Sequence, residues 1–329
     1  MRKYLFMAIA VIFVSSFGVG QSIQLNEILS SNGDNLYDED GDTPDWIEIY
    51  NSNDESINLS GYGITDDAND LLKWTFPSIE LGPGEFLIVF ASNKDRKEQV
   101  VQWDAKIDWG DAWRYWVGNS EPISNWELPQ TDIGFWPVGQ SGFGYGDNDD
   151  NTEISQTISV YVRKEFEIED PSMIYKALFH IDYDDGYIAY LNGIEFSRRN
   201  LGSPGSTVYH NTTSTALHEA EIYAGGFPEQ LDIDLNNFPL IEGTNTLAVE
   251  VHNYSSNSSD LSCIPFLTLG YGSILDGVTE PNEYITIPNS FLHTNFRLDS
   301  DGETLFLSSS DEDILDSVNV IELETDMSF

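Results

Sequence analysis

Pro44-Asp45-Trp46-Ile47-Glu48-Ile49-Tyr50-Asn51 is the stretch on which the fold turns. Between Asp45 and Asn51 stand five residues dominated by aromatic and β-branched side chains, the composition of a β-strand closed off by turn formers. Outward along the chain the same signature returns at Tyr187-Ile188-Ala189-Tyr190-Leu191 and Thr246-Leu247-Ala248-Val249-Glu250-Val251. Phe86-Leu87-Ile88-Val89-Phe90, after Gly82-Pro83-Gly84, is an unbroken apolar run that predicts a strand buried on both faces. Asp40-Gly41, Asp185-Gly186, Asn192-Gly193, Glu242-Gly243 and Asp301-Gly302 punctuate these runs as turns. Asn192-Gly193 is the strongest hairpin signal, because both residues tolerate positive φ. Beyond the first twenty residues no stretch has a convincing 3.6-residue period. The expectation is an all-β chain of sandwiches or barrels.

Composition narrows the class. Arg2 and Lys3, the apolar run Leu5 to Val14, and Gly18 and Gly20 before Gln21 have the order of a secretory signal peptide over residues 1–20. The apolar core is shorter than the roughly 20 residues a bilayer span needs, so no membrane span is expected after cleavage. The formal charge is −42, and removing Arg2 and Lys3 makes it −44. A surface that negative repels phosphate backbones and argues against nucleic acid as a partner. With eight Trp, 16 Tyr and 18 Phe the chain can nevertheless bury a large core. Cys263 is the single cysteine, which excludes an intramolecular disulfide, and its apolar setting reads as a small buried hydrophobe.

Residues 23 to 95 resemble the N-terminal part of a bacterial lamin-tail domain. The residues that carry this are Leu25-Asn26-Glu27-Ile28, Asp38-Glu39-Asp40-Gly41-Asp42, the opening stretch, Leu59-Ser60-Gly61-Tyr62, Lys73-Trp74-Thr75-Phe76-Pro77 and Phe86 to Ser92. The family's closing strands look like His293-Thr294-Asn295-Phe296-Arg297-Leu298, Gly302-Glu303-Thr304-Leu305 and Asp316-Ser317-Val318. They come some 200 residues late. The resemblance therefore implies one immunoglobulin-like β-sandwich, 21–97 with 283–329, interrupted by an insertion over 98–282. Two incomplete copies would each leave unpaired edges and half a core. Within the insertion, 101 to 272 is similar to a galactose-binding-like jelly roll. The matching residues include Trp113-Arg114-Tyr115, Gly142 to Asp147, Asp184 to Gly193 and Gly243 to His252. The family's closing motif usually runs on past the equivalent of Phe329, which implies a longer parent protein carrying, for example, a spore-coat-type kinase domain.

Two constellations carry chemical expectations. Asp38, Asp40, Asp42 and Asp45 around Gly41 can aim several oxygens at one hard cation, which predicts calcium. The spacing is not that of an EF-hand, and a solvated acidic loop is the plainer reading. Asp147, Asp149 and Asp150 form a second acidic loop, and Asp182, Asp184 and Asp185 a third. Asp184 and Asp185, with Tyr187, Tyr190 and Asn192, offer carboxylates and rings to a sugar; against this, Asp-Asp-Gly is a turn and alternating aromatics are foremost a burial signal. Six tryptophans between Trp103 and Trp136 read mostly as core.

No pattern for an enzyme emerges. The five histidines lack metal-ligand spacing, and Gly139-Gln140-Ser141-Gly142-Phe143 has Phe143 where a nucleophile elbow needs glycine. His252 and His293 are expected to make structural hydrogen bonds. The expectation is a non-catalytic, secreted or cell-surface binding or scaffolding pair of modules, its partner a polysaccharide or a cell-surface protein. The alternatives are a spacer for a downstream catalytic domain and an enzyme acting on glycosides or phosphoesters.

Overall fold

The computed structural model describes residues 23–146, 149–322 and 324–329. The expected signal segment and Asp147 lie outside them. About 40% of the chain is strand and 2% helix, and among the described residues no helical layer covers a sheet. The chain divides into two compact units, Met1–Lys97 with Leu292–Phe329, and Glu98–Phe291.

The first unit is an immunoglobulin-like sandwich. One sheet has the order Ile23–Leu29, Asp45–Asn51, Phe86–Ala91, Leu292–His293. The other runs Ile314–Val320, Glu303–Ser308, Gly63–Thr65, Trp74–Thr75. Trp46 stands opposite Phe90 and Ile47 opposite Val89, while Leu292 pairs in parallel with Val89. In the second sheet Leu307 pairs with Ile64. Strands some 200 residues apart thus complete each other's hydrogen bonds. Ile47, Val89, Ile64, Trp74, Leu305 and Leu307 are fully buried in one apolar cluster between the sheets. Truncating one such leucine to alanine typically costs about 2–5 kcal/mol.

Phe86–Ala91 departs from the double-sided burial its run of apolar residues predicts. Phe86 is 54% exposed and Ile88 only half-buried. The cause is the open outer face of the sheet, where Phe86 stacks on Tyr50 at 4.6 Å between ring centroids.

The second unit is a larger sandwich. One sheet has the order Val138–Gln140, Ala112–Val117, Ser159–Ile168, Gly243–His252, Gly186–Leu191, Ile194–Arg199. The other has Thr152–Glu153, Phe143–Tyr145, Leu261–Tyr271, Ile174–Tyr183, Glu229–Asp232, with Gln102–Ile107 also paired to Leu261–Tyr271. Val160, Val249, Tyr187, Phe179, Cys263 and Leu267 meet in the core between them. Residues 283–291, which the sequence groups with the first sandwich, fall in this unit. Ile285, with Tyr284 and Ile287, packs on Ile264 and Phe266 of Leu261–Tyr271.

The two-residue period sets up the site. In Gly243–His252, Leu247, Val249 and Val251 enter the core, so Ala248, Glu250 and His252 point to the opposite face. Tyr161 in Ser159–Ile168 and Tyr190 in Gly186–Leu191 leave the core by the same parity. Residues 118–137 fold over this outer face and pack Trp126, Ile133 and Trp136 on Tyr161 and Ala248.

Candidate functional site

A groove of about 540 Å³ crosses the outer face of the Ser159–Ile168 sheet. Tyr161, Tyr190 and Glu250 lie at its base, residues 121–127 form one wall, and Gly205 to Tyr209 with Glu195 and Arg198 form the other. Trp126 meets Tyr161 and Tyr190 edge to face, at 5.2 and 5.9 Å. Ile123 and Tyr209 are exposed at the rim, 42% and 57%. Apolar rings beside fixed polar groups are the usual furnishing of a small-molecule site.

The polar groups of the base are tightly held. The Tyr190 hydroxyl donates to Glu250 Oε1 at 2.8 Å, and His252 Nε2 lies 3.1 Å from Glu250 Oε2. His252 Nδ1 lies 2.8 Å from the Thr212 carbonyl oxygen, to which it can only donate. Both ring nitrogens therefore face acceptors, the Thr212 carbonyl oxygen on one side and Glu250 Oε2 on the other. Burial and the Glu250 charge both push the Tyr190 phenol above its ordinary pKa. On the wall, Arg198 forks onto Glu195 at 2.9 and 2.8 Å and also donates to the Leu201 carbonyl oxygen and to Ser206. Glu195 accepts in turn from Gly205 N–H.

The covering segment is pinned by Arg163, 4% exposed, whose guanidinium donates to the carbonyl oxygens of Trp126, Leu128 and Thr131 within 3.0 Å. This fixes the wall that carries Trp126. A buried guanidinium can sit there because carbonyls and Glu165 satisfy it.

In the first unit, Asp38, Asp40 and Asp42 bring carboxylate oxygens within 4.8 Å of one another, a group that could hold a metal ion. The chain supplies its own cation there. Lys94 Nζ lies 2.5, 2.6 and 2.9 Å from Asp38, Asp40 and Asp42. Burial alone would lower the Lys94 pKa; the three carboxylates outweigh it and hold it above its ordinary value. Asp40, paired first with Arg96 and then with Lys94, is held at about 2. Asp45 is not in the cluster: it accepts from Asn32 N–H at 3.0 Å, and burial raises its pKa. Alongside, His293 bridges Ser92 Oγ, 2.8 Å from Nδ1, to Glu39 Oε2, 3.0 Å from Nε2. That pins the Asp38 loop to Leu292–His293, a structural hydrogen bond of the kind expected for His293.

Residues 19–131 match the Lamin Tail Domain family model. No curated protein matches the sequence. Among solved structures, the chain is similar to a glycosyl hydrolase family 2 member from Bacteroides cellulosilyticus DSM 14838, with 13% identity and TM-score 0.34, over 51% of this chain and 21% of that one. It is similar to a Bacteroides uniformis beta-glucuronidase at 11% identity and TM-score 0.35, over 69% and 27%. An uncultured Clostridium sp. beta-glucuronidase gives 15% identity and TM-score 0.34, over 70% and 40%. The chain thus spans less than half of each of these proteins, and a likeness of this size assigns it no activity.

The lamin-tail match covers the acidic loop but none of the groove's base, where Tyr161, Tyr190 and Glu250 lie. The sugar site expected at Asp184, Asp185, Tyr187 and Asn192 is not a surface. Asp184, Asp185 and Tyr187 are 4%, 3% and 0% exposed. Asp184 accepts from Ala220 N–H, and Asp185 from His218 and Tyr254 N–H. With Asp182, which accepts from Glu221 and Ile222 N–H, they fasten residues 218–222 to the sheet. The Tyr187 hydroxyl is shared with Ser197 in the interior. Asn192 forms the hairpin turn at φ 51°, its amide oxygen accepting from Thr246 N–H. Gly193 follows at φ 83°, where a Cβ would also strike Leu128 at 2.4 Å.

Proposed function

We propose that this chain is an exported, non-catalytic glycan-binding protein, that Glu98–Phe291 is an inserted jelly-roll module, and that the groove on its outer face is the binding site. The lamin-tail-like sandwich then serves as carrier and attachment body. The observation that carries this reading is the groove itself: an exposed Tyr209 and a half-buried Tyr190, the latter resting on the buried Trp126 and Tyr161, stand beside Asn125 and the wall carboxylates Glu121 and Glu127. Ring faces for sugar C–H groups and fixed acceptors for hydroxyls are what a pyranose requires. The test is a glycan array with the mature protein and with Tyr209→Ala, a rim residue whose truncation spares the core. Reproducible binding that falls about tenfold or more on loss of the ring, a worth of roughly 1.4 kcal/mol, is the expected result. Uniform silence favours the spacer reading. Turnover of an arrayed glycoside would overturn the non-catalytic part.

Calcium at Asp38, Asp40 and Asp42 requires displacement of the Lys94 ammonium, since the same oxygens cannot serve both cations.

A further inference from the structure

We infer that the groove takes uncharged glycans and rejects uronate and sulfated ones; this rests on the glycan-binding reading above. A protein that binds a sugar carboxylate or sulfate needs a cation or a cluster of free N–H donors facing it. The one guanidinium on the wall has none left. Of the five N–H groups of Arg198, two go to the Glu195 fork and the others to the Leu201 carbonyl oxygen and to Ser206. At the base both nitrogens of His252 are spent on Thr212 and Glu250, and the ring is fully buried. Arg198 and Glu195 cancel each other, and neither Arg198 nor His252 has a donor left to face a ligand.

Two carboxylates remain. Glu121 and Glu127 stand on the wall formed by residues 121–127. Glu121 accepts from His210 N–H, with His210 Nε2 3.9 Å away. Glu127 has no cation within salt-bridge distance among the described residues. The groove therefore presents excess negative charge inside a chain whose formal charge is already −42. Hydroxyl groups are suited to such a surface, because a sugar O–H can donate to a carboxylate that a ligand carboxylate can only repel. Asn125, Ser124 and Thr207 add neutral donors and acceptors.

The experiment measures affinities of the full mature protein for matched hexasaccharides: cello-, manno- and xylo-oligomers against hexagalacturonate, a hyaluronan hexasaccharide and a heparin hexasaccharide. Hexagalacturonate is also tested as its methyl ester, which keeps the backbone and removes the charge. The expected result is binding of at least one neutral oligomer, with the acidic ones weaker by about tenfold or more at low salt, and a gap that narrows as ionic strength rises from about 0.05 to 0.5 M. The Glu121→Gln, Glu127→Gln double variant is expected to narrow the same gap at least threefold while retaining near-ultraviolet dichroism. Acidic glycans that bind as well as neutral ones overturn the inference and leave the binding function standing. A gap that ignores both salt and the double variant overturns its electrostatic basis. Silence toward every sugar overturns the glycan-binding reading itself.

Discussion

Lys94 decides what the acidic loop can do. Its ammonium touches three carboxylates, of which Asp38 has a fully buried side chain. Asp38 Oδ1 also accepts from Asp40 and Asp42 N–H at 3.0 Å, so the loop is wound around that one carboxylate. Removing the amine leaves a buried charge without its ion pair, at a cost of about 1–3 kcal/mol. Lys94→Met is accordingly expected to lower the melting temperature of the first unit. It also vacates the position among the three oxygen sets, so calcium is expected to restore part of that loss in the variant and to leave the parent protein unmoved. Thermal melts with calcium and with a chelator measure both. Equal calcium responses in the two proteins would show that lysine and metal do not compete, and the assignment of Lys94 as resident cation would fail.

At the scale of elements, the loop bearing Asp38 to Asp45 is fastened to the sheet through Glu39, and that contact carries a pH signature. Burial alone would raise the Glu39 pKa; hydrogen bonds from His293 and Arg96 prevail and hold it at about 2. A carboxyl lowered in the folded state contributes stability above its unfolded pKa, near 4.3, and loses it as pH falls toward 2. The melting-temperature gap between the parent protein and Glu39→Gln is therefore expected to be full at pH 6 and to close between about pH 4.5 and 2. A gap independent of pH would mean that the ionised form is not what holds the loop. How much of this was legible in advance differs by element. Strand identity was readable, because Trp46 to Tyr50 and Thr246 to Val251 carry the local signature of their conformation. The groove was not. Tyr187 and Tyr190 lie in one strand, and only parity separates them: Tyr187 enters the core and Tyr190 leaves it. Alternation shows that two faces exist but not which one a second sheet will cover. Nor does it reveal that Tyr161, Tyr190 and Glu250 come from neighbouring strands, since strand order is a tertiary fact. The acidic loop was visible as acids, whereas its cation lay more than fifty residues downstream in an unremarkable polar stretch.

For the whole molecule, the question is whether the first sandwich depends on the 194 residues of Glu98–Phe291. The hydrogen bonds at the break argue that it does not. His293 N–H donates to the Arg96 carbonyl oxygen at 2.9 Å, and Asp95 N–H to that of Thr294 at 3.1 Å. The chain therefore leaves and returns at adjacent points of one sheet edge, the condition under which a domain insertion is tolerated. Its core draws on both segments, with Leu87 and Val89 from one and Leu305 and Leu307 from the other. Neither segment alone can close it. Loop-closure cost grows only slowly with length, so a short link should serve as well as the natural excursion. Joining Lys97 to Leu292 through a few Gly-Ser residues is expected to yield a unit that unfolds in one cooperative step, with Trp46 and Trp74 reporting loss of packing together. Residues 23–97 alone, without 292–329, are expected not to fold, because Leu305 and Leu307 leave the core and Gly63–Thr65 loses one of its two partner strands. A cooperative, native-like melt from this fragment would show that Ile23 to Ala91 closes a core by itself, and the shared-sandwich architecture would have to be abandoned.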